Sequence, residues 1–337
     1  MQTALTSDST SSVLEKLQAE MAAIPVDEER LAPAGWEPDA VEKTLASPFE
    51  VSGPSTYHRG NTASLHFQPA EEGGWAFERT DLSGGTPRIP VRPENVTDLN
   101  RNIRLSAGTP ENFMRMSEHI IALRLGLGID HAVIGTPNGD PPLFDVGSRP
   151  LVEAVRKAGL REIPGHPVVY ATTSEPVFII GPHGSFLLFE PAEAGCRKLT
   201  LDVALDFPTA IGRQRIRFDL TPETFAYGAD ARTNCSRKEM FLMRTIGRLI
   251  PSIRGFGYTW KNILVAGKER YANEPALLHN GKSLEAVWHR ACLDLLAALA
   301  LCPVGRPAGR ITSYKAGHAL DCRFMSLLSS GKFWRKM

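Results

Sequence analysis

The chain has no Cys-x-x-Cys pair, no long apolar run and almost no net charge. Each absence removes a class of protein. Five cysteines in 337 residues (Cys196, Cys235, Cys292, Cys302, Cys322), odd in number and scattered, argue against a disulfide framework or a thiolate zinc finger. They fit reduced thiols in a cytoplasmic protein. The richest apolar run, Leu295 to Val304, falls short of the roughly 18–20 residues that span a bilayer. The polar start from Gln2 to Ser12 offers neither the basic opening nor the apolar core of a secretory signal. A formal net charge of +1 supplies no field that would suggest nucleic acid. What remains is ordinary globular composition, 42% apolar and 22% charged, which suits two domains with cores of their own at this length.

Residues 1–42 read as an N-terminal extension, partly disordered, in which Ser11-Ser12 caps a short helix through Leu14, Leu17 and Met21. Pro25, Pro33 and Pro38 then interrupt regular structure. From about residue 47 the pattern is a strand meander, with Ala63, Leu65 and Phe67 alternating with polar neighbours and Trp75 and Phe77 following a Gly-rich turn. Thr109-Pro110 predicts the start of a helix along which Met116, Ile120, Leu123 and Leu127 keep the helical period, so Glu118 and His119 would lie within it. A strand at Ala132–Ile134 and a helix from Arg149 to Ala158, ended by Gly159, complete a first domain over 43–163.

The second domain, 164–337, restarts with strands at Val177–Ile180 and Phe186–Phe189. Leu199, Leu201, Val203, Leu205 and Phe207 alternate with Lys198, Thr200, Asp202, Ala204 and Asp206, and Ile216, Phe218 and Leu220 answer them. That predicts a half-buried antiparallel hairpin with one polar face. Helical patterns follow at Thr221-Pro222-Glu223 and from Ser283 to about Leu301, where the Ala-rich run reads as a buried helix face. Strands first and helices later in each half make the fold class α+β, two packed domains that each layer a mainly antiparallel sheet with helices.

Three short pieces carry chemistry: Glu118-His119, His289 with Asp294, and His318 in Lys315-Ala-Gly-His-Ala-Leu. Neutral imidazole and carboxylate are the ligands of a catalytic zinc, which keeps an open position for water. His119 and His289 are the nitrogen candidates and Asp294 the oxygen. Glu118 would take a proton from the attacking water, and His318 would give one to a leaving amine. His58, His66, His131, His166, His183 and His279 read as surface or turn residues.

Over roughly residues 43 to 330 the chain resembles the zinc-dependent UDP-3-O-acyl-N-acetylglucosamine deacetylases of lipid A biosynthesis. The matches come in the family's order: Glu50-Val-Ser-Gly with His58-Arg-Gly60, Arg79-Thr-Asp-Leu, Ser117-Glu-His, Gly126-Leu-Gly-Ile-Asp130 and Phe144-Asp-Val-Gly-Ser148. Ala231-Arg-Thr233, Glu285-Ala-Val-Trp-His289 and Ser313-Tyr-Lys-Ala-Gly-His-Ala-Leu320 complete them. The resemblance implies a zinc hydrolase that removes acetate from a UDP-linked, acylated amino sugar at a site between the two domains. It implies Glu118 as general base, His318 as general acid, Thr233 stabilising the oxyanion, and Arg290 near the substrate where the family normally has lysine. An insert at about 234–270, with Phe241, Leu242, Ile246, Leu249 and Ile250, would form the acyl-chain passage.

Two departures from the family pattern carry consequences. His289 and Asp294 are five residues apart instead of four, so on a regular helix they would point about 140° apart. A π-type widening between them would restore a common face and is therefore predicted. Ala297-Ala298 stands where the family has Gly-Asp, which predicts a lowered pKa at His318 for want of a carboxylate partner. Unless another carboxylate substitutes, the alternative reading is a catalytically impaired paralogue that binds a nucleotide-sugar or acyl ligand without efficient turnover.

Overall fold

The structure is a computed structural model that describes residues 8–58, 60–82, 86–98, 102–245 and 257–337. Arg59 of the opening motif and Ile246, Leu249 and Ile250 of the expected insert lie outside the described residues. Two larger sheets, of six and five strands, with smaller two- and three-stranded ones and the helices, give the α+β class.

The first sheet orders its strands Phe49–Pro54, Thr62–Pro69, Ala132–Thr136, Trp75–Arg79 and Ile89–Pro90. Ala132–Thr136 enters between two strands that the sequence pattern placed side by side. It runs antiparallel to one and parallel to the other, so the expected meander is corrected. The reason is burial. All five of its residues are covered, and such a strand gains most at the centre of a sheet.

The second sheet runs Glu28–Arg30, Gly212–Asp219, Leu199–Phe207, Gly309–Tyr314, Phe186–Pro191 and Val177–Ile180. The hairpin of Leu199–Phe207 and Gly212–Asp219 forms as its alternation predicts, but its second face is not left to water. Helix Asp8–Ala22 lays Leu14, Leu17 and Met21 on Phe186, Leu188, Ala204 and Tyr314 of that face. The extension from residue 8 onward thus becomes a layer of the fold, and Asp202 beneath it is fully buried. Arg215 grips Asp202 with two nitrogens at 2.9 Å, while Arg217 and Arg310 each approach to 3.1 Å.

Burial alone would raise the Asp202 pKa, yet these guanidiniums hold it below the usual carboxylate range. A depressed folded pKa contributes stability above the unfolded value of about 4, which is lost as pH falls through the folded value. Replacing Asp202 by Asn is accordingly expected to cost about 3 kcal/mol at neutral pH, because it leaves Arg215 covered without its counter-charge. Urea titrations at pH 7 and near pH 2.5 check this, since the gap from the native chain should narrow at the lower pH.

Between the sheets run helix Glu118–Gly126 and the segment Leu284–Leu301, whose residues are all buried. A helix buried on every side needs partners on every side. This one lies between the second sheet and helix Glu118–Gly126, inside a core cluster that draws on both halves of the chain. Gly126 makes the neighbouring approach close, because a Cβ there would stand 2.3 Å from the Phe225 ring. Among the described residues no helix is long and apolar enough to cross a membrane.

Candidate active site

Glu118 opens its helix, whereas the periodicity placed it in the interior. The Thr109-Pro110 start is corrected because Phe113–Met114 pairs instead as a strand with Arg104–Ser106. Asn112, fully buried, ties that turn to the carbonyls of Pro87 and Ala107. Met116 then adopts φ +45°, and the helix begins at Glu118. One carboxylate oxygen of Glu118 accepts the Ile103 N–H at 3.1 Å, and the other stands 3.9 Å from His318 Nε2. Burial pushes this carboxyl above its usual range, against the pull of His318. That is the direction a general base needs to work near neutral pH.

The widening between His289 and Asp294 is present. Regular helix Glu285–His289 passes into a π turn over Arg290–Leu295 and resumes at Leu296–Leu299. The extra residue is absorbed in that turn, and Asp294 Oδ1 comes 3.5 Å from His289 Nδ1. On the other edge of the His289 ring, Nε2 faces His119 Nε2 at 3.2 Å and Thr233 Oγ1 at 2.9 Å. Ser148 Oγ lies 3.3 Å from His119 Nδ1 and donates to the His119 carbonyl, fixing that ring from behind.

Among the described residues no group of three or more His, Cys, Asp or Glu side chains stands ready to hold an ion as the side chains lie. Nevertheless the donor set fits. Two imidazole nitrogens sharing a tetrahedral zinc would sit about 3.3 Å apart, close to the separation of His119 and His289. Burial and the adjacent His289 push His119 down to about 3, so it is a neutral imidazole. Burial alone would raise Asp294, but His318 and His289 hold it well below the usual range, and its buried Oδ1 has these two imidazoles at 3.5–3.6 Å as its nearest donors. Asp294 stands at the Nδ1 edge of His289 and would have to turn towards the paired Nε2 atoms to serve as a third ligand.

His318 begins helix His318–Ser330 and places Nε2 3.6 Å from Asp294 Oδ1. The lowered pKa expected here is overturned. Burial does oppose the charged form, but Asp294, Glu118 and Asp321 together hold His318 above the usual range. Asp321 supplies the negative charge missing at Ala297-Ala298. It is buried, three residues after His318 on the same helix face, and it pairs with Arg290. Arg290, expected beside the substrate, is itself buried. Its Nε donates to the Ala316 carbonyl at 2.9 Å, Nη2 reaches Ser313 and Asp321, and Nη1 has no partner.

The spacing of His318 and Asp321 was the sequence signal for this second carboxylate. Of the remaining histidines, His131 is no surface residue: it is mostly covered, accepts the Gly74 N–H and contacts Glu42. The insert is represented by helix Arg237–Arg244, on which Phe241 with Met240 and Trp260 lines an open groove. All five cysteines are free.

An α+β chain whose two halves bring two imidazoles, a buried carboxylate pair and a flanking histidine to one place has the make-up of a hydrolase. The particular family follows from comparison, since residues 42–330 match the family described as "LpxC: UDP-3-O-acyl N-acetylglycosamine deacetylase", and the chain belongs to it. Similar proteins bear the name UDP-3-O-acyl-N-acetylglucosamine deacetylase. That of Solibacter usitatus is 29% identical over 293 residues, covering 85% of this chain and 90% of its own. That of Thermosynechococcus vestitus is 31% identical over 284 residues, covering 83% and 90%. A third, from Nitrosococcus oceani, is 27% identical over 299 residues, covering 86% and 90%.

Proposed function

We propose that this chain hydrolyses the acetamide of UDP-3-O-acyl-N-acetylglucosamine, using water to release acetate and leave a free amine, in the cytoplasm and on the route to lipid A. His119, His289 and Asp294 would hold a zinc ion, which when bound polarises the amide carbonyl and lowers the pKa of water beside it. Glu118, with its raised carboxyl pKa, takes the proton of the attacking water. Thr233 Oγ1, already within hydrogen-bond reach of His289, turns its donor to the developing oxyanion. His318, whose pKa three carboxylates hold above the usual range, gives a proton to the departing nitrogen. Arg290 braces the carbonyl before His318 and keeps Nη1 as the donor left for substrate. The groove at Phe241 and Trp260 takes the acyl chain.

The observation that carries this reading is the placing of His318 Nε2 within 3.9 Å of Glu118 and 3.6 Å of Asp294, at the site of the paired His119 and His289 imidazoles. Asp321 also weighs against the impaired paralogue, whose main support was the absent second carboxylate. The test is incubation of zinc-loaded protein with UDP-3-O-acyl-N-acetylglucosamine, followed by measurement of acetate and free amine. Multiple turnovers are expected. Tight binding of the sugar nucleotide without acetate release would favour the paralogue.

A further inference from the structure

Trp288 stands immediately before His289 and is completely buried. Its ring is wedged between Phe218 and Tyr227, with centroids 4.9 and 5.1 Å away. Its indole Nε1 finds its acceptor far away in sequence, on Glu28 Oε2 at 2.9 Å. Glu28 is only 5% exposed, and its other oxygen accepts from Arg30 Nε at 2.7 Å. The Arg30 guanidinium continues over the Tyr227 ring, 3.6 Å from its centroid. These two residues belong to the edge strand Glu28–Arg30, paired in parallel with Gly212–Asp219 so that Glu28 lies opposite Ile216. The whole strand precedes residue 42, where the family match begins.

A buried indole N–H without an acceptor carries the full cost of its lost hydration, so the bond to Glu28 constrains where Trp288 can sit. The next residue is His289, and directly after it the helix widens into the π turn. A π turn is rare and appears mostly as a single-turn bulge inside a regular helix, frequently at functional sites, so the side chain packed just before it bears on where the widening begins. Leu17, in the same extension, packs on the sheet instead and has no part in this anchor. We infer that Glu28 is a positioning residue for the active site, holding the helix through Trp288 so that His289 faces His119 and the π turn begins where Asp294 can join them. The inference rests on the proposed deacetylase reading and adds to it a residue from outside the family-matched stretch.

The test uses the full chain and four variants: Glu28→Ala, Glu28→Gln, Trp288→Phe and Leu17→Ala. Amide hydrogen exchange over Arg290–Leu295 is read on protein without substrate, then zinc affinity, kcat and KM. Glu28→Ala and Trp288→Phe should each speed exchange in the π turn about tenfold and weaken zinc about tenfold. Their kcat should fall with KM within about twofold of native. Glu28→Gln, which keeps a carbonyl acceptor, should restore most of both. Leu17→Ala should lower the melting temperature without moving exchange in that turn. Should Glu28→Ala fail to fold, Trp288→Phe, which removes the donor together with part of the ring, decides the matter when read against Leu17→Ala. Unchanged exchange in the π turn, or a change equal to that of Leu17→Ala, overturns the role of Glu28. An inactive native chain would instead count against the deacetylase reading, because the exchange measurement requires no turnover.

Discussion

Glu118→Gln is expected to lower kcat for acetate release by about 10²–10⁴-fold while leaving zinc content and melting temperature close to native. The substitution isolates the proton-accepting role. Glutamine keeps an oxygen to accept the Ile103 N–H, so the helix start and the buried hydrogen bond survive. It preserves volume in a position that is 3% exposed, so packing is barely disturbed. What it cannot do is take a proton from water. Alanine would confuse the result by opening a cavity and orphaning the Ile103 amide. Steady-state kinetics beside metal analysis and thermal melting check the expectation. A Gln variant with kcat within about threefold of native would remove Glu118 from the mechanism, and a variant without zinc would give it a structural role instead.

Asp321→Ala is expected to cost about 3–5 kcal/mol of stability, the usual effect of leaving one member of a buried ion pair without its partner. Asp321 and Arg290 are 1% and 5% exposed, so water cannot replace the lost contact. Burial holds the Asp321 carboxyl above its usual range even against Arg290, which shows how dry the pair is. The loss should reach catalysis as well. Arg290, freed from Asp321, is also the group that fixes the Ala316 carbonyl two residues before His318. The double variant Asp321→Leu with Arg290→Met should regain much of the stability, since apolar replacement of a buried pair is often neutral. It should not regain activity. Urea unfolding and kinetics on the three proteins separate these effects, and an Asp321→Ala chain as stable and active as native would show that the pair contributes nothing.

Much of the fold was legible because the sequence pattern reports local burial directly. Period-two alternation located the strands at Thr62–Pro69 and Leu199–Phe207, and Gly159 marked the end of helix Arg149–Ala158 with φ +76°. Local pattern could not give the order of strands in the first sheet, because a fully buried segment such as Ala132–Thr136 carries no sign of which neighbours it separates. Nor could it foresee that helix Asp8–Ala22 buries the second face of the hairpin, a fact of tertiary packing that turns the polar position of Asp202 into an interior one. The helix start at Glu118 was misplaced because Met116 takes a left-handed conformation that its residue type gives no reason to expect.

At the site, the spacing of His289 and Asp294 was enough to require a widened turn, since one inserted residue shifts every later side chain by about 100° around a helix. The substitute carboxylate was missed for a related reason. Asp321 comes from the helix that begins with His318 and not from the helix that carries Ala297-Ala298, and spacing within one helix gives no sign of a side chain arriving from another. Ser148 was visible as a matched motif residue, but only the fold shows its hydroxyl behind His119.

The central claim is that His119, His289 and Asp294 share one ion between the halves of the chain. X-ray absorption at the zinc edge, on native protein and on the His119→Ala, His289→Ala and Asp294→Ala variants, tests it most directly. One zinc per chain is expected, bound by two imidazole nitrogens and a carboxylate oxygen, with each substitution stripping a ligand and greatly weakening retention. Protein that takes up no zinc, or that holds it equally well after all three substitutions, would contradict the account.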